Sequence, residues 1–416
     1  MVRNDKEREG IRMSLLEEKF LKLGAEYAPG QEVRQNTVEV DIHKKRMLGS
    51  SVDFSHGDVD AFEPIPGSLD IFIEGVNSGG KQAYTEYRGS KNIREDAAEK
   101  LSIFAGTTIN AEQNLIITPG TQGALFLAMG ASISRGDKVA IVEPDYFANR
   151  KLVEFFDGEV VPVHMDYFDN DNSAGLNLTQ LEDAFRAGVR LFLFSNPNNP
   201  TGVIYSQEEI YEIAELAQNY GVTVIVDELY SRQIFDGRAY THLCAQNILN
   251  PENIITIMGP SKTESLSGYR LGVAFGSAKI IDRMEKLQAI VSLRAGGYNQ
   301  AVLKSWFSEP KGWMEKRIAQ HQAIRDDLVK KFWNAQGFKV RATEAGSYLF
   351  PQFPELTISI YDFVKVLRVQ AAVTVTPGTE FGPKFKDSFR INFSQNHQVA
   401  TDAIDRIIQV VEEYRK

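Results

Sequence analysis

Cysteine is almost absent from this chain of 416 residues, in which Cys244 is the only one. A single cysteine excludes an internal disulfide and any metal site built from several thiolates. The six histidines show no metal-ligand spacing, so no metal enzyme is expected. No apolar run approaches the roughly 18 residues that span a bilayer, and the charged start, MVRNDKEREG, lacks the apolar stretch of a signal peptide. We therefore expect a cytoplasmic protein with no membrane partner.

The chain also lacks an excess of positive charge, since 46 Lys and Arg residues stand against 55 Asp and Glu residues, for a formal net charge of -9. Nucleic-acid-binding proteins present basic stripes, so no nucleic-acid partner is expected. The phosphate-binding motif G-x-x-x-x-G-K-[ST] does not occur, which excludes a P-loop nucleotide binder. The remaining composition, 43% hydrophobic and 24% charged, is typical of a soluble globular chain, and the length favours two domains.

Short apolar runs alternate with helical segments between about residues 90 and 280. The runs are NLIITPG, KVAIVEP, VRLFLFSNP, VTVIVDE, NIITIMG and GVAFG. Several are apolar throughout, as expected of strands buried on both faces of a parallel sheet. Sheets of this kind bind ligands at the carboxyl ends of their strands. The pattern predicts an α/β fold with its site at that edge.

Polar residues at these strand ends match what pyridoxal 5'-phosphate (PLP) requires of a protein. PLP needs a lysine for an imine and a carboxylate that keeps its ring nitrogen protonated. Lys262 in SKTESLSGYR is the candidate for the imine, and Asp227, which closes VTVIVD, is the candidate for the ring nitrogen. Tyr230 and Asn199 can donate hydrogen bonds to the phenolic oxygen, and Tyr146 can stack on the ring.

The phosphate of PLP also has candidate ligands. Gly120, Thr121 and Gln122 open a helix directly after NLIITP, and a helix N-terminus binds phosphate. Ser261 offers a hydroxyl, and Arg270 offers a guanidinium that can donate two parallel hydrogen bonds. Each motif alone is usually a turn, a helix cap or a solvated side chain. Their occurrence in one order at successive strand ends predicts a PLP enzyme with a Schiff base on Lys262.

The motifs NPNNPTG, DELY and SKTESLSGYRLG together resemble the fold-type I PLP-dependent aminotransferases of class I and II, over nearly the whole chain. The resemblance implies a large domain, with a mainly parallel sheet between helices, and a small α+β domain. It implies an N-terminal arm and substrate loop at 1–60 that packs with the small domain. The large PLP-binding domain would follow at 61–295, and a linker helix and the small domain at 296–416.

The same resemblance implies further contacts. Arg390 in FRINFS would bind the α-carboxylate of the substrate, with Asn199 beside it. Tyr84 lies in a Tyr-x-x-x-x-Gly segment and would reach the phosphate in the neighbouring subunit, which implies a homodimer with shared active sites. A transcription regulator built on this fold is excluded, because about fifty acidic-to-neutral residues leave no room for a basic DNA-binding domain.

The segment VDFSHGDVDAFEPIPG departs from the usual pattern of Gly-x-Pro-Asp followed by Pro. Gly57, Asp60 and Pro64 keep that frame, whereas Val59 replaces the usual proline and His56 stands before the glycine. This loop covers the substrate in the family. An imidazole there can move protons near the substrate. It can equally cap a turn.

A histidine in this place also resembles the PLP-dependent arginine oxidases and hydroxylases of natural-product (antibiotic) pathways, which use O2. Glu39 and Asp41 lie on one face of VEVDI, and Asp58 and Asp60 follow His56, so these carboxylates can pair with a guanidinium. A solvated strand face and helix-capping aspartates explain them equally well. Apart from Arg294, no second arginine is obviously placed for a dicarboxylate substrate.

Two hypotheses follow. The first, narrowly preferred, is O2-dependent oxidation of a free amino acid, L-arginine or another cationic one, to a 2-keto product with further side-chain oxidation. The alternative is a conventional aminotransferase with a 2-oxo acid partner. Lys262 would be the general base and Asp227 the ring-nitrogen partner in both, so His56 alone among the catalytic candidates separates them.

Overall fold

In the computed structural model of the chain, the described residues are 14–24, 46–57, 60–168 and 172–416. The helices are α1 Leu15–Leu23, α2 Ser68–Asn77, α3 Gly80–Ala83, α4 Lys91–Ala105, α5 Gly120–Ser132, α6 Phe147–Phe155, α7 Leu178–Arg186, α8 Gln207–Tyr220, α9 Ala278–Val291, α10 Gly297–Gln300, α11 Trp313–Asn334, α12 Ile360–Val366 and α13 His397–Tyr414. The strands are β1 Val52–Asp53, β2 Leu115–Pro119, β3 Lys138–Glu143, β4 Glu159–His164, β5 Leu191–Ser195, β6 Thr223–Asp227, β7 Ile254–Met258, β8 Leu271–Gly276, β9 Tyr348–Leu349, β10 Val373–Thr374, β11 Thr376–Pro377 and β12 Phe389–Asn392.

The large sheet contains seven strands in the order β2-β8-β7-β6-β5-β3-β4. Strands β3 to β7 pair in parallel, and β8 runs antiparallel to both of its neighbours. The predicted α/β fold with a mainly parallel sheet is confirmed. The reversal of β8 has a local consequence, because it brings the start of this strand to the edge where the parallel strands end.

The sheet is buried on both faces because its side chains alternate between two apolar layers. Phe192 and Phe194 of β5 pack against the helices α7 and α8. Leu191 and Leu193 of the same strand pack on the opposite face, against α5 and α9. This alternation explains why β5 is apolar throughout, with every residue buried.

A second core joins the C-terminal part of the chain to an N-terminal segment. It contains the sheet β11-β12-β9 and residues of the helices α11, α12 and α13. Val52, Phe54 and Phe62 pack in the same core, and β1 pairs with β10. Val52, Phe54 and Phe62 are therefore packed against segments that lie more than 250 positions further along the chain. The predicted domain boundaries at residues 60 and 295 stay a prediction.

The sequence RMEKLQAIVSLRAGGYNQAVLKSWF, from about residue 285, predicts a long helical stretch, but α9 ends at Val291 and α10 begins at Gly297. Leu293 between them has a φ of 60°, a left-handed conformation that a helix does not contain. The predicted strand VEVDI lies outside the described residues. Within the described residues, no helix combines the length and apolar character that crossing a membrane requires.

The close approach of β8 to the start of α5 gives a test of this architecture. A Cβ on Gly272 would lie 2.4 Å from both Gly120 C and Thr121 N. We expect Gly272→Ala to destabilise the protein by about 1–3 kcal/mol, because backbone must move to admit the methyl group. Urea unfolding of the apo-protein measures this loss.

Gly268→Ala is the matched control, since a Cβ there meets nothing within 4 Å. We expect this control to keep its stability. Equal losses in the two variants would contradict the packing argument.

Candidate active site

A cavity of about 250 Å3 opens at the carboxyl edge of the large sheet. It is lined by Ser55, His56, Thr121, Gln122, Leu125, Tyr146, Phe147, Ser195, Pro197, Asn199, Asp227, Leu229, Tyr230, Ser261, Lys262, Ser267, Arg270, Tyr348 and Arg390. Eleven of the residues proposed from the sequence are in this set, and Lys262 lies among them. These proposed residues therefore meet in one cavity, although more than 300 positions separate the first of them from the last.

Asp227 ends β6 and faces this cavity. Its carboxylate accepts a hydrogen bond from the backbone N–H of Leu229 at 3.1 Å, and within the described residues it has no cationic partner. Burial and, to a smaller extent, the neighbouring carboxylate of Glu228 raise the pKa of Asp227 to about 6. A protonated ring nitrogen would supply the cation that this partly buried carboxylate lacks among the described residues, so Asp227 fits PLP.

Glu228 points to the other side of β6, because successive side chains alternate. It is fully buried, and its Oε2 lies 2.6 Å from His242 Nδ1. The histidine is the only ion-pair partner of Glu228 within the described part of the chain. The two adjacent carboxylates are thus separated, with one paired and the other directed at the cavity. Sequence analysis did not identify this pair, since nothing in the spacing of 228 and 242 indicates contact.

Tyr230 and Tyr348 face each other across the cavity, with their hydroxyl oxygens 2.7 Å apart. Burial raises the pKa of Tyr230 well above its ordinary value, so its hydroxyl stays protonated and can donate a hydrogen bond. Asn199 lies on the same wall. Either donor suits the phenolic oxygen of PLP, as predicted for Tyr230 and Asn199.

The predicted phosphate ligands surround the first turn of α5. Thr121, Gln122, Ser261 and Arg270 line the cavity there, whereas Gly120 packs behind it. The φ of Gly120 is 78°, and a Cβ at this position would lie 2.5 Å from Arg270 Nη2. Only glycine lets the guanidinium approach the helix start so closely. A helix N-terminus beside a guanidinium and a hydroxyl is a suitable phosphate site.

Tyr146 follows β3, and its hydroxyl donates to Gln122 Oε1 at 2.9 Å. Its backbone N–H donates to Asp145, a buried residue whose carboxylate also accepts the hydroxyl and backbone N–H of Ser195. Burial raises the pKa of Asp145 to about 7. Ser195 Oγ in turn accepts the backbone N–H of Asn199 at 3.0 Å. Asp145 therefore fixes the ends of β3 and β5 relative to each other, a role that the sequence did not reveal.

Arg390 reaches the cavity from β12 and is only 2% exposed. Its Nη1 donates to Asn199 Oδ1 at 3.0 Å, and its Nη2 donates to the backbone oxygen of Ser55 at 2.9 Å. Its Nε has no partner in the described residues, and its guanidinium lies 4.3 Å from the ring centre of Tyr348. A buried cation without a carboxylate fits the predicted binding of a substrate α-carboxylate.

His56 lies at the mouth of the cavity, with a side chain that is 64% exposed. Its Nε2 is 3.4 Å from Asp53 Oδ2, and its Nδ1 is 3.0 Å from the backbone oxygen of Gly57. The hydrogen bond with Asp53 raises the pKa of His56 to about 9. The imidazole is therefore a cation at neutral pH, and both of its N–H groups have partners. In this state it can donate a proton but cannot accept one.

Tyr84 lies outside the cavity, is 82% exposed, and has its ring centre 5.3 Å from the Arg294 guanidinium. Glu39 and Asp58 fall outside the described residues, so their predicted substrate contacts stay a prediction. Tyr348 and Ser55 line the cavity although neither was a candidate from the sequence, and Ser55 stands directly before His56.

The family model for aminotransferase class I and II matches residues 62–407. The chain belongs to this family. Proteins of the family depend on PLP, so PLP is the cofactor of this aminotransferase-fold enzyme. The residues around the cavity fit the cofactor, since they offer a lysine, a carboxylate with no cation among the described residues, and a helix N-terminus beside an arginine.

Similar proteins in this family are named as aminotransferases. A solved aspartate aminotransferase from Rhodobacter sphaeroides is 60% identical, with a TM-score of 0.92, over 96% of this chain and 100% of its own. The aspartate aminotransferase of Sulfolobus acidocaldarius is 28% identical over 80% of this chain and 83% of its own length. The aromatic-amino-acid aminotransferase 2 of Thermococcus litoralis is 24% identical over 80% and 85%.

The uncompensated Asp227 predicts a pH-dependent stability. The folded carboxyl has a pKa of about 6 against an ordinary 3.8, so the folded apo-protein binds this proton more tightly than the unfolded chain. Its stability therefore falls as pH rises from about 4 to 6, by up to about 3 kcal/mol. We expect apo Asp227→Asn to be more stable than wild type at pH 8, and the gain to vanish near pH 4.

Urea unfolding at the two pH values measures the difference. Asp282→Asn, at an exposed position on α9, should show no gain at pH 8. An Asp227→Asn protein that is less stable than wild type at pH 8 would show that the carboxylate has a favourable partner.

The hydrogen bond between Asp53 and His56 predicts a measurable shift. We expect Asp53→Asn to lower the pKa of His56 from about 9 towards 6.5, because the carboxylate that stabilises the imidazolium is lost. NMR titration of the histidine ring signals, assigned with His56→Gln, measures it. A pKa that stays near 9 in Asp53→Asn would mean that Asp53 is not its cause.

Proposed function

We propose that this protein is an aminotransferase that moves an amino group between an L-amino acid and a 2-oxo acid. The observation on which this rests is the geometry of the cavity. Arg390, a buried cation with no carboxylate partner in the described part of the chain, lies in the same cavity as Lys262 and Asp227. The names of the similar proteins support transfer of an amino group, which the sequence analysis ranked second.

Each residue then has a defined task. PLP, when bound, supplies an electron-accepting ring that stabilises negative charge at the substrate α-carbon. Lys262 would hold PLP, and its Nζ would serve as the general base that takes the proton from the substrate α-carbon and later returns it. Asp227 holds the proton on the ring nitrogen, and Arg390 orients the substrate through its carboxylate.

Oxidation of L-arginine with O2, the hypothesis preferred on sequence, has weaker support. It depended on His56 and on carboxylates that include Glu39 and Asp58. His56 is protonated at neutral pH and committed to Asp53 and Gly57, so a proton-abstracting role would first require loss of that proton. The similar proteins are named for transamination of aspartate or aromatic amino acids, and these amino acids are the first substrates to test.

We also propose a homodimer in which Tyr84 completes the phosphate site of the partner subunit. Tyr84 and the apolar residues of α2 form one exposed region, in which Leu69 is 61% and Ile73 47% exposed. Apolar surface of this kind is typical of an interface between subunits. A cytoplasmic location remains the expectation from the sequence.

The deciding experiment is a single turnover of the PLP-loaded enzyme with an amino acid and no 2-oxo acid. We expect the absorbance band of bound PLP to convert to that of pyridoxamine phosphate, with no O2 consumption at an oxygen electrode. Addition of 2-oxoglutarate should restore the PLP band. Sustained O2 consumption with L-arginine would instead support the oxidase.

Lys262→Ala should lower turnover by at least about a thousandfold, since both the imine and the general base are lost. Lys286→Ala is the control, because Lys286 lies on the exposed face of α9 and pairs with Asp282. Comparable activity of Lys262→Ala and wild type would contradict the assignment of the lysine.

A further inference from the structure

A second, larger cavity of about 740 Å3 meets the first at Lys262. The two share His56, Ser261, Lys262 and Ser267. The walls of the second cavity consist mostly of serine hydroxyls and side-chain amides, including those of Ser50 and Ser51 and of residues 392–396 between β12 and α13. We call this second cavity the amide chamber.

Two buried amides in the amide chamber have unused hydrogen-bonding atoms. Asn392 is 1% exposed, and its Oδ1 accepts the backbone N–H of Ser394 at 3.0 Å. Gln395 is 6% exposed, and its Nε2 donates to the backbone oxygens of Asp53 and His56. These backbone partners fix which end of each amide is oxygen and which is nitrogen. Within the described residues, the Asn392 nitrogen is left without an acceptor, and the Gln395 oxygen without a donor.

The position of Asn392 relates the amide chamber to the substrate. Arg390 and Asn392 are two residues apart on β12, so their side chains point to the same face, about 7 Å apart along the strand. A substrate whose α-carboxylate binds Arg390 would reach Asn392 with a side chain that has about two methylene groups. The unfilled donor and the unfilled acceptor remain open to the chamber, where a ligand that pairs with both takes the place of water.

The two unfilled amide atoms select the chemistry of that side chain, since Asp53 and His56, which also line the chamber, are paired with each other. The unfilled oxygen of Gln395 opposes a second carboxylate. The unfilled N–H group of Asn392 opposes a cation. A neutral group with both a donor and an acceptor meets neither penalty.

We propose that the amide chamber is the side-chain subsite for amino acids that end in a carboxamide, such as L-glutamine. The proposal rests on the proposed aminotransferase function and names its substrate class. Asn392 Nδ2 donates to the carboxamide oxygen, and Gln395 Oε1 accepts from its nitrogen.

The first test uses single turnovers of the PLP-loaded enzyme, followed by the PLP absorbance. L-Glutamine and L-glutamate have the same length and differ only in the terminal group. We expect the second-order rate constant for L-glutamine to exceed that for L-glutamate by on the order of tenfold or more. An equal or greater rate constant for L-glutamate would overturn the subsite.

The second test is Asn392→Asp, which keeps the acceptor for Ser394 and removes the donor. We expect the ratio of rate constants for L-glutamine and L-alanine to fall about tenfold, because L-alanine does not reach the amide chamber. Gln398→Glu, on the exposed side of α13, adds the same charge outside the chamber and should leave the ratio unchanged. If Asn392→Asp does not fold, Asn392→Ser tests the loss of the amide without added charge.

The outcomes are separable. An unchanged ratio in the Asn392 variant, with active enzyme, would overturn the subsite alone. Failure of every amino acid to convert the PLP band in wild type would overturn the proposed function together with the subsite.

Discussion

The register of the central strands is the constraint on which the active site depends. Ser195 of β5 lies directly opposite Asp227 of β6, and Asp227 lies opposite Ile257 of β7, so these strands end at one edge. Strand β8 runs the other way and pairs Leu271 with Pro119, which brings Arg270 to the same edge. The residues for the ring, the imine and the phosphate are neighbours because the strands that precede or follow them are aligned.

The site holds charge that the protein itself leaves uncompensated. Within the described residues, Asp227 is a partly buried carboxylate without a cation, and Arg390 is a buried guanidinium without a carboxylate. Such groups are unfavourable in the free protein. They are held in place by partners at fixed positions, Leu229 for Asp227 and Asn199 for Arg390. The ring nitrogen of PLP and a substrate carboxylate would neutralise them. The free energy that these charges cost the free protein is therefore regained when the two ligands bind.

The residues proposed to hold the cofactor could be picked out from sequence because each one lies at or near an end of an apolar strand. Lys262, Asp227 and Asn199 stand in short motifs beside runs that are recognisable as strands. Asp145 was not predictable in the same way, since its role depends on contact with Ser195, fifty positions away. The break between α9 and α10 escaped prediction for a different reason. Gly296 and Gly297 disfavour a helix, but Leu293 is a good helix former, and its own propensity does not indicate its left-handed conformation.

Substrate choice is harder to derive from sequence because its residues belong to another core. Ser55 and Arg390 are hydrogen-bonded although 335 positions separate them. Both are held by the cluster that contains Phe54, Phe389 and Ile391, and none of the strands of the large sheet contributes to it. The same separation allows the walls around the substrate to change without disturbing the strand ends that hold PLP. A chain can therefore keep every cofactor motif of its family although these motifs do not identify its substrate.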